Sequence, residues 1–483
     1  MTRRLSHSRR ATAATLASLL FLPDASVSAQ ILAAPFAAAN ALASSVASVA
    51  AQPASPLTLT VEQAIERALT NSHRVDEMTA RGEAANAVIE QRHAVQLPRL
   101  NAQGGYTRTN HVDQFGIQLP NGQLRIIYPD IPDNYRSRVD AQWPLYTGGR
   151  LQALEQAART DAGAATFDIQ AVRSDLRAEV ARTYWTLASQ TQSIAVLDRS
   201  IAQTGEHLRD ARNRLEAGLI PPNEVLSVEA QQARQQMLRI QANGAREVTE
   251  AALARLIGAA PGTAIVTADT IDLPATMTDG ERAGANGTGA SAGLEALIAT
   301  ARENRADRRA LADRAVAATG RVTAAAAGRR PTIGVGGGFD YARPNPRIFP
   351  RVGEFKTSWD ASINVDWPLF DGERVSAELA EASAAQRAAE ARLAEFDSQL
   401  SLEIRQRLSE LTSSRAAVSA AHAAIRAATE GHRVLRDRFN AGVATATDVL
   451  DAEIAILQAE LDRTQAMATY RIAAAGLARA TGR

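Results

Sequence analysis

The chain of 483 residues has no cysteine, which excludes disulfide scaffolds, thiolate metal sites and lipid attachment through an N-terminal cysteine. Lysine is nearly absent as well. Lys356 is the only one, and the arginine in its place reads as genomic base composition. Aromatic residues make up 4% although hydrophobic residues reach 46%, with alanine dominant. Thick globular cores need large side chains, whereas alanine favours helices and lets them approach closely. The net charge of +1 lacks the basic footprint of a nucleic-acid binder, so no nucleic-acid partner is expected. No segment beyond the N-terminus has the roughly 18 consecutive apolar residues of a transmembrane helix. An exported chain of this kind is soluble, or crosses a membrane as a β-barrel.

The N-terminus reads as an export signal over residues 1–29. Arg3, Arg4, Arg9 and Arg10 precede an apolar stretch, Ala11 to Leu22, and Val27-Ser28-Ala29 is a small-residue cleavage site. A second site at Val49-Ala50-Ala51 extends the candidate signal to residue 51.

An internal duplication organises the rest. Trp143-Pro144-Leu145-Tyr146 through Gly148 and Arg150 recurs as Trp367-Pro368-Leu369-Phe370 through Gly372 and Arg374, an offset of 224. The same offset carries Arg214, Ala217, Gly218, Val225, Leu226, Glu229 and Gly258 onto Arg438, Ala441, Gly442, Val449, Leu450, Glu453 and Gly482. Upstream, Asn71, Pro98 and Gly104 match Asn304, Pro331 and Gly337 at 233, so a single nine-residue length difference lies between Pro98 and Trp143. The first repeat spans 57–258 and the second 294–483, with a linker at 259–293 whose stretch from Thr278 to Gly293 is rich in Gly, Ala and Ser.

Each repeat begins with a helix (about Val61 to Gln96, and Leu294 to Gly328). Two strands follow, at 99–108 and 135–144 in the first repeat and at 332–341 and 358–368 in the second. Val139, Ala141 and Trp143 alternate with Arg138, Asp140 and Gln142, and Trp359, Ile363 and Val365 alternate with Asp360, Ser362 and Asn364. Such alternation gives one apolar and one polar face, and about ten residues suit a tilted membrane crossing. Aromatic residues near the strand ends resemble the girdles of membrane barrels. Gly334 to Gly338 superficially suggests a phosphate loop, but no lysine and helix follow it.

The long helices, 150–217 and 374–441, contain no proline and extend about 100 Å each. Leu187, Ile194, Ile201, Leu208 and Leu215 keep a seven-residue spacing, as do Leu411, Val418, Ile425, His432 and Phe439, so coiled-coil packing is expected. His432 is read here as a coiled-coil position, not as a metal ligand or pH sensor. Return helices at 221–257 and 445–480 follow short turns. On length, helix 221–257 is expected to stack end to end with the helix from Leu294, and helix 445–480 under the helix from Val61. Four strands cannot close a barrel, and open edges are not tolerated in lipid, so the strands require an oligomer. The expected fold class is therefore mainly α, with a β-barrel part.

The Trp-Pro-Leu-aromatic segments and the turns RLEAGLIPPNEVLSVEA (from Arg214) and RFNAGVATATDVLDAEI (from Arg438) resemble the TolC family of outer-membrane efflux proteins. The resemblance covers about Leu57 to Arg483. It implies a homotrimer in outer-membrane lipid, with a twelve-stranded barrel and a periplasmic α-barrel. It also implies a periplasmic adaptor (membrane fusion protein) and an inner-membrane transporter as partners. By the same resemblance, Gly218, Leu219, Gly442 and Val443 form adaptor-docking tips, and Asp448 and Asp451 ring the periplasmic entrance, with Glu224 as the acid of the first repeat. Phe439 and Ala444 stand where some members lock the entrance with tyrosine and arginine. The expected function is passive conduction in efflux or type I secretion, with no catalysis, cofactor or metal. A periplasmic coiled-coil adaptor is the alternative, but such a protein would lack the two duplicated strand pairs.

Overall fold

A computed structural model describes residues 56–272 and 287–483, with side chains in the second segment from 293. The candidate signal at 1–29 or 1–51 lies outside the described residues, as does most of the linker from Thr278 to 286.

The alternating segments form a four-stranded antiparallel sheet. Strands β2 (Arg99–Arg108), β5 (Asp133–Tyr146), β7 (Thr332–Arg343) and β8 (Lys356–Asp366) pair in that order. The two repeats join through β5 and β7, with Val139 opposite Phe339, which leaves β2 and β8 as open edges. Gly334 to Gly338 lies inside β7, where no phosphate loop could form. A small hairpin, β3 (Phe115–Gln118) and β4 (Leu124–Tyr128), occupies the longer first loop. It turns at Gly122, whose φ of +78° suits glycine.

Helix α3 (Arg150–Glu216) and helix α7 (Arg374–Asn440) each run unbroken for 67 residues. The first helix of each repeat is divided. In repeat one, α1 (Val61–Asn71) and α2 (His73–Ala94) part at Ser72. In repeat two, α5 (Gly287–Asn304) and α6 (Ala306–Ala326) part at Arg305, so the residues from Gly287 to Gly293, expected as linker, are helical. Another part of that linker, Ile265–Thr267, is strand β6, which pairs in parallel with β1 (Leu57–Leu59). The return helices are α4 (Pro222–Leu256) and α8 (Ala446–Ala480).

The stacking expected from helix lengths is corrected. Each return helix abuts the first helix of its own repeat. Gly258, just past α4, sits against Asn71, whose Nδ2 donates to the carbonyl of Ile257 at 3.1 Å. Gly482, just past α8, sits in the same way against Asn304. On α3, Glu179 receives Arg74 from the start of α2 at 2.7 Å and Arg255 from the end of α4 at 3.9 Å. Its counterpart on α7, Glu403, receives Arg305 at 2.9 Å and Arg479 at 3.1 Å. In repeat one the physical reason is the β1–β6 pairing, which ties the beginning of the repeat to the end of α4. The hydroxyl of the fully buried Tyr184 seals that pairing, 2.9 Å from the carbonyl of Leu59 and accepting from the Asp269 N–H at 3.1 Å. Burial pushes the Tyr184 phenol well above its ordinary range.

Sideways, α3 packs on α2 and α4 on one side and on α6 and α8 on the other, and α7 lies beyond α6 and α8. Helix α4 and helix α7 thus flank the helical wall, as β2 and β8 flank the sheet.

Candidate functional site

The two turns are built alike. At the end of α3, the Gly218 N–H donates to the Leu215 carbonyl and the Leu219 N–H to the Arg214 carbonyl, both at 2.9 Å. At the end of α7, Gly442 and Val443 repeat these bonds to Phe439 and Arg438, again at 2.9 Å. This is the Schellman cap, which satisfies the last helical carbonyls and needs a left-handed residue. Gly218 has φ +69° and Gly442 has φ +76°, with nothing within 4 Å of either missing Cβ. The caps turn Leu219 (74% exposed) and Val443 (63%) outward, so each tip carries one unpartnered apolar side chain.

The acids differ in what they touch. Asp448 closes a capping box on α8: its carboxylate accepts from the Thr445 N–H at 2.8 Å, and its own N–H donates to Thr445 Oγ1 at 3.2 Å. That backbone hydrogen bond, with the Thr445 hydroxyl second, holds the Asp448 carboxyl below the usual carboxylate range. Asp451 is exposed one turn further along α8. Glu224 is half-buried and lines the groove between the hairpins with Ile220, Phe439 and Leu450. One contact there was not legible in the sequence: the Arg214 guanidinium lies 5.0 Å from the centre of the Phe439 ring and joins the two tips by a cation–π interaction.

At the other end, the sheet exposes its apolar face. Trp359, Ile363, Val365 and Leu100 are 65–74% exposed, and Val139 and Phe339 about half exposed. Tyr106, Tyr135, Phe355 and Tyr341 adjoin one another at one margin of this face, with ring centres 4.9–5.9 Å apart. The opposite face carries an ionic lattice. Asp340 is clamped by Arg136 at 2.7 Å and by Arg138, and Arg138 also reaches Asp360 at 3.0 Å. The alternation put Arg138 on the polar face, but its partners depend on the β5–β7 and β7–β8 registers, which no local pattern encodes.

A sheet with a bare apolar face and two open edges, continuous with helices about 100 Å long, is matched by a family model. The outer membrane efflux protein family model covers residues 64–259 and 297–483. The chain belongs to this family. Among solved structures, the outer membrane protein VceC of Vibrio cholerae superposes with a TM-score of 0.73 at 20% identity, covering 87% of this chain and 96% of VceC. The open state of the Neisseria gonorrhoeae MtrE outer membrane channel gives 0.67 at 19%, covering 87% and 88%. Protein CyaE of Bordetella pertussis is 27% identical over 319 residues, which span 65% of this chain and 61% of CyaE. Membership places the protein in the outer membrane.

Proposed function

We propose that three copies of the chain form a passive exit duct, and that a periplasmic adaptor and an inner-membrane transporter feed it. The observation that carries this reading is the exposed apolar face of a sheet whose edges, β2 and β8, are both unpaired. Lipid accepts such a sheet only when closed, and three copies give a twelve-stranded barrel.

The helices support the same closure. On α4, Leu226, Met237, Ile240 and Val248 are 52–72% exposed. The 224 offset carries Leu226 and Ile240 to Leu450 and Thr464 of α8, which are both buried, Leu450 in a cluster with Leu208 of α3. The corresponding cover for α4 is α7 of a neighbouring copy. In this assembly Gly218, Leu219, Gly442 and Val443 dock the adaptor, and Asp448, Asp451 and Glu224 line the entrance. The energy comes from the transporter, which also selects the cargo, in efflux or in secretion.

Fractionation with planar-bilayer recording tests the reading. Heat-modifiable trimers in the outer membrane that conduct ions without an energy source are expected. A monomer recovered from soluble periplasm would sink the duct and favour an adaptor.

A further inference from the structure

Two departures from the duplication meet at one oxygen atom. Glu229 of α4 corresponds to Glu453 of α8 and pairs with Arg212 at 2.7 Å. Glu453 instead faces two imidazoles. Nε2 of His207, on α3, lies 3.3 Å from its Oε1, and Nε2 of His432, on α7, lies 3.6 Å from the same atom. The residues in register with these histidines in the other repeat are Gly431 and Leu208, so neither histidine belongs to the shared pattern. The His432 contact is too long for a hydrogen bond, and its Nε2 is buried without a hydrogen-bond partner. Protonation of the ring would place a positive charge beside the Glu453 carboxylate. His432 keeps its coiled-coil position on α7, and the carboxylate it faces comes from α8.

The surroundings are net acidic. Arg199 and Glu206 of α3, Arg436 of α7 and Glu460 of α8 line the same cleft of about 320 Å³, and Asp210 and Arg214 of α3 and Glu224 of α4 lie on the other side of His207. Arg199 is engaged by Glu460 at 3.4 Å, and Glu206 reaches Arg209 at 3.7 Å. The cleft is close to the tips. His207 precedes Gly218, and His432 precedes Gly442, by ten or eleven residues, about 15 Å of helix.

We propose that His207, Glu453 and His432 form a proton-operated clasp that tightens the contact between the two hairpins at acidic pH and loosens it as pH rises. The His207–Glu453 contact crosses the groove between hairpins, while His432 stays within the second hairpin and positions the carboxylate. Imidazole is the side chain whose charge ordinarily changes between about pH 5 and 8. Protonated, it is an ion-pair partner for Glu453. Neutral, it leaves that charge without a counter-ion. The consequence for conduction rests on the duct reading, but the clasp itself does not.

Spin labels on Asn213→Cys and Asp437→Cys, in a chain with no other cysteine, report the separation of α3 and α7 in the full-length detergent-solubilised protein. Between about pH 5.5 and 7.5 the short-distance population should fall about five-fold. In the His207→Gln/His432→Gln variant, and independently in Glu453→Gln, the distributions at the two pH values should coincide. An unchanged parent distribution, or a pH response that survives in both variants, overturns the clasp. Planar-bilayer recording keeps the two ideas apart. Conduction without pH-dependent distances sinks only the clasp, and pH-dependent distances without conduction sink only the duct.

Discussion

The indole Nε1 of Trp143 donates to the carbonyl oxygen of Gln96 at 3.0 Å. Trp367 makes the same bond to Arg329 at 3.2 Å. Each bond fastens the end of a strand to the end of a helix, where backbone carbonyls lack intrahelical partners. The duplication is thus visible in individual hydrogen bonds at the passage from sheet to helix.

Replacing Trp143 with Phe keeps an aromatic ring there and removes the donor. A loss of about 1 kcal/mol is expected, and Trp143→Phe with Trp367→Phe should lose about twice that, since the sites are distant. Thermal dissociation of the purified oligomer reads both. A double variant no less stable than the parent would mean that the bonds are solvent-replaceable.

Glycines with left-handed φ should differ in cost according to the space around them. Gly218→Ala meets open space and should cost about 1 kcal/mol of local strain. Gly258→Ala, whose Cβ would fall 2.7 Å from Asn71 Cβ, should cost more and separate the end of α4 from α1. Hydrogen exchange near Asn71 and Ile257 distinguishes the two. Equal protection in both variants would contradict this account of the stacking.

The proposed entrance role of Asp448 and Asp451 needs a conservative test because Asp448 also caps α8. Asp448→Asn with Asp451→Asn removes two charges per chain and retains side chains that can accept at a helix start. Cation preference and block by divalent ions in planar bilayers should both decline. Unchanged selectivity would reject the ring and leave Asp448 as a cap.

At the α6–α8 junction, burial alone would raise the Asp307 carboxyl, but Arg305 and then Arg479 outweigh it and the carboxyl sits below its ordinary range. Its stabilising contribution is therefore complete above the unfolded-state carboxylate range and lost as pH falls through the depressed folded value. The melting temperature should drop on acidification below about pH 4, with a shallower drop in Asp307→Asn. Parallel pH profiles for the two proteins would show that Asp307 does not carry the effect.

Much of this architecture was legible because it rests on periodicity. The strand faces follow from two-residue alternation in Trp359, Ile363 and Val365, and α3 and α7 follow from long stretches free of proline. The breaks at Ser72 and Arg305 were hidden, since neither residue interrupts a helix by itself. Stacking partners were misread for a related reason. The repeats have equal helix lengths, so length matching could not tell a partner in the same repeat from one in the other. The pairs Asn71/Asn304 and Gly258/Gly482 were visible as matches, but nothing local said that they touch. The Pro120-Asn121-Gly122 turn of the β3–β4 hairpin carried a signal that the nine-residue length difference obscured. At the tips, the glycines were readable through the resemblance carried by the two turn segments. The Arg214–Phe439 contact and the Glu453 cluster join helices far apart in sequence.

The open edges at β2 and β8 also bear on how the protein is made. A newly exported chain carries a lipid-seeking surface that it cannot bury alone, and its edge strands can template pairing with any extended segment they meet. On the duct reading, that surface and those edges stay uncovered until compatible copies arrive. The yield of finished channel should therefore climb more steeply than synthesis at low expression. Variants that weaken neighbour contacts along α4 and α7 should be lost to proteolysis before any defect in transport could be measured.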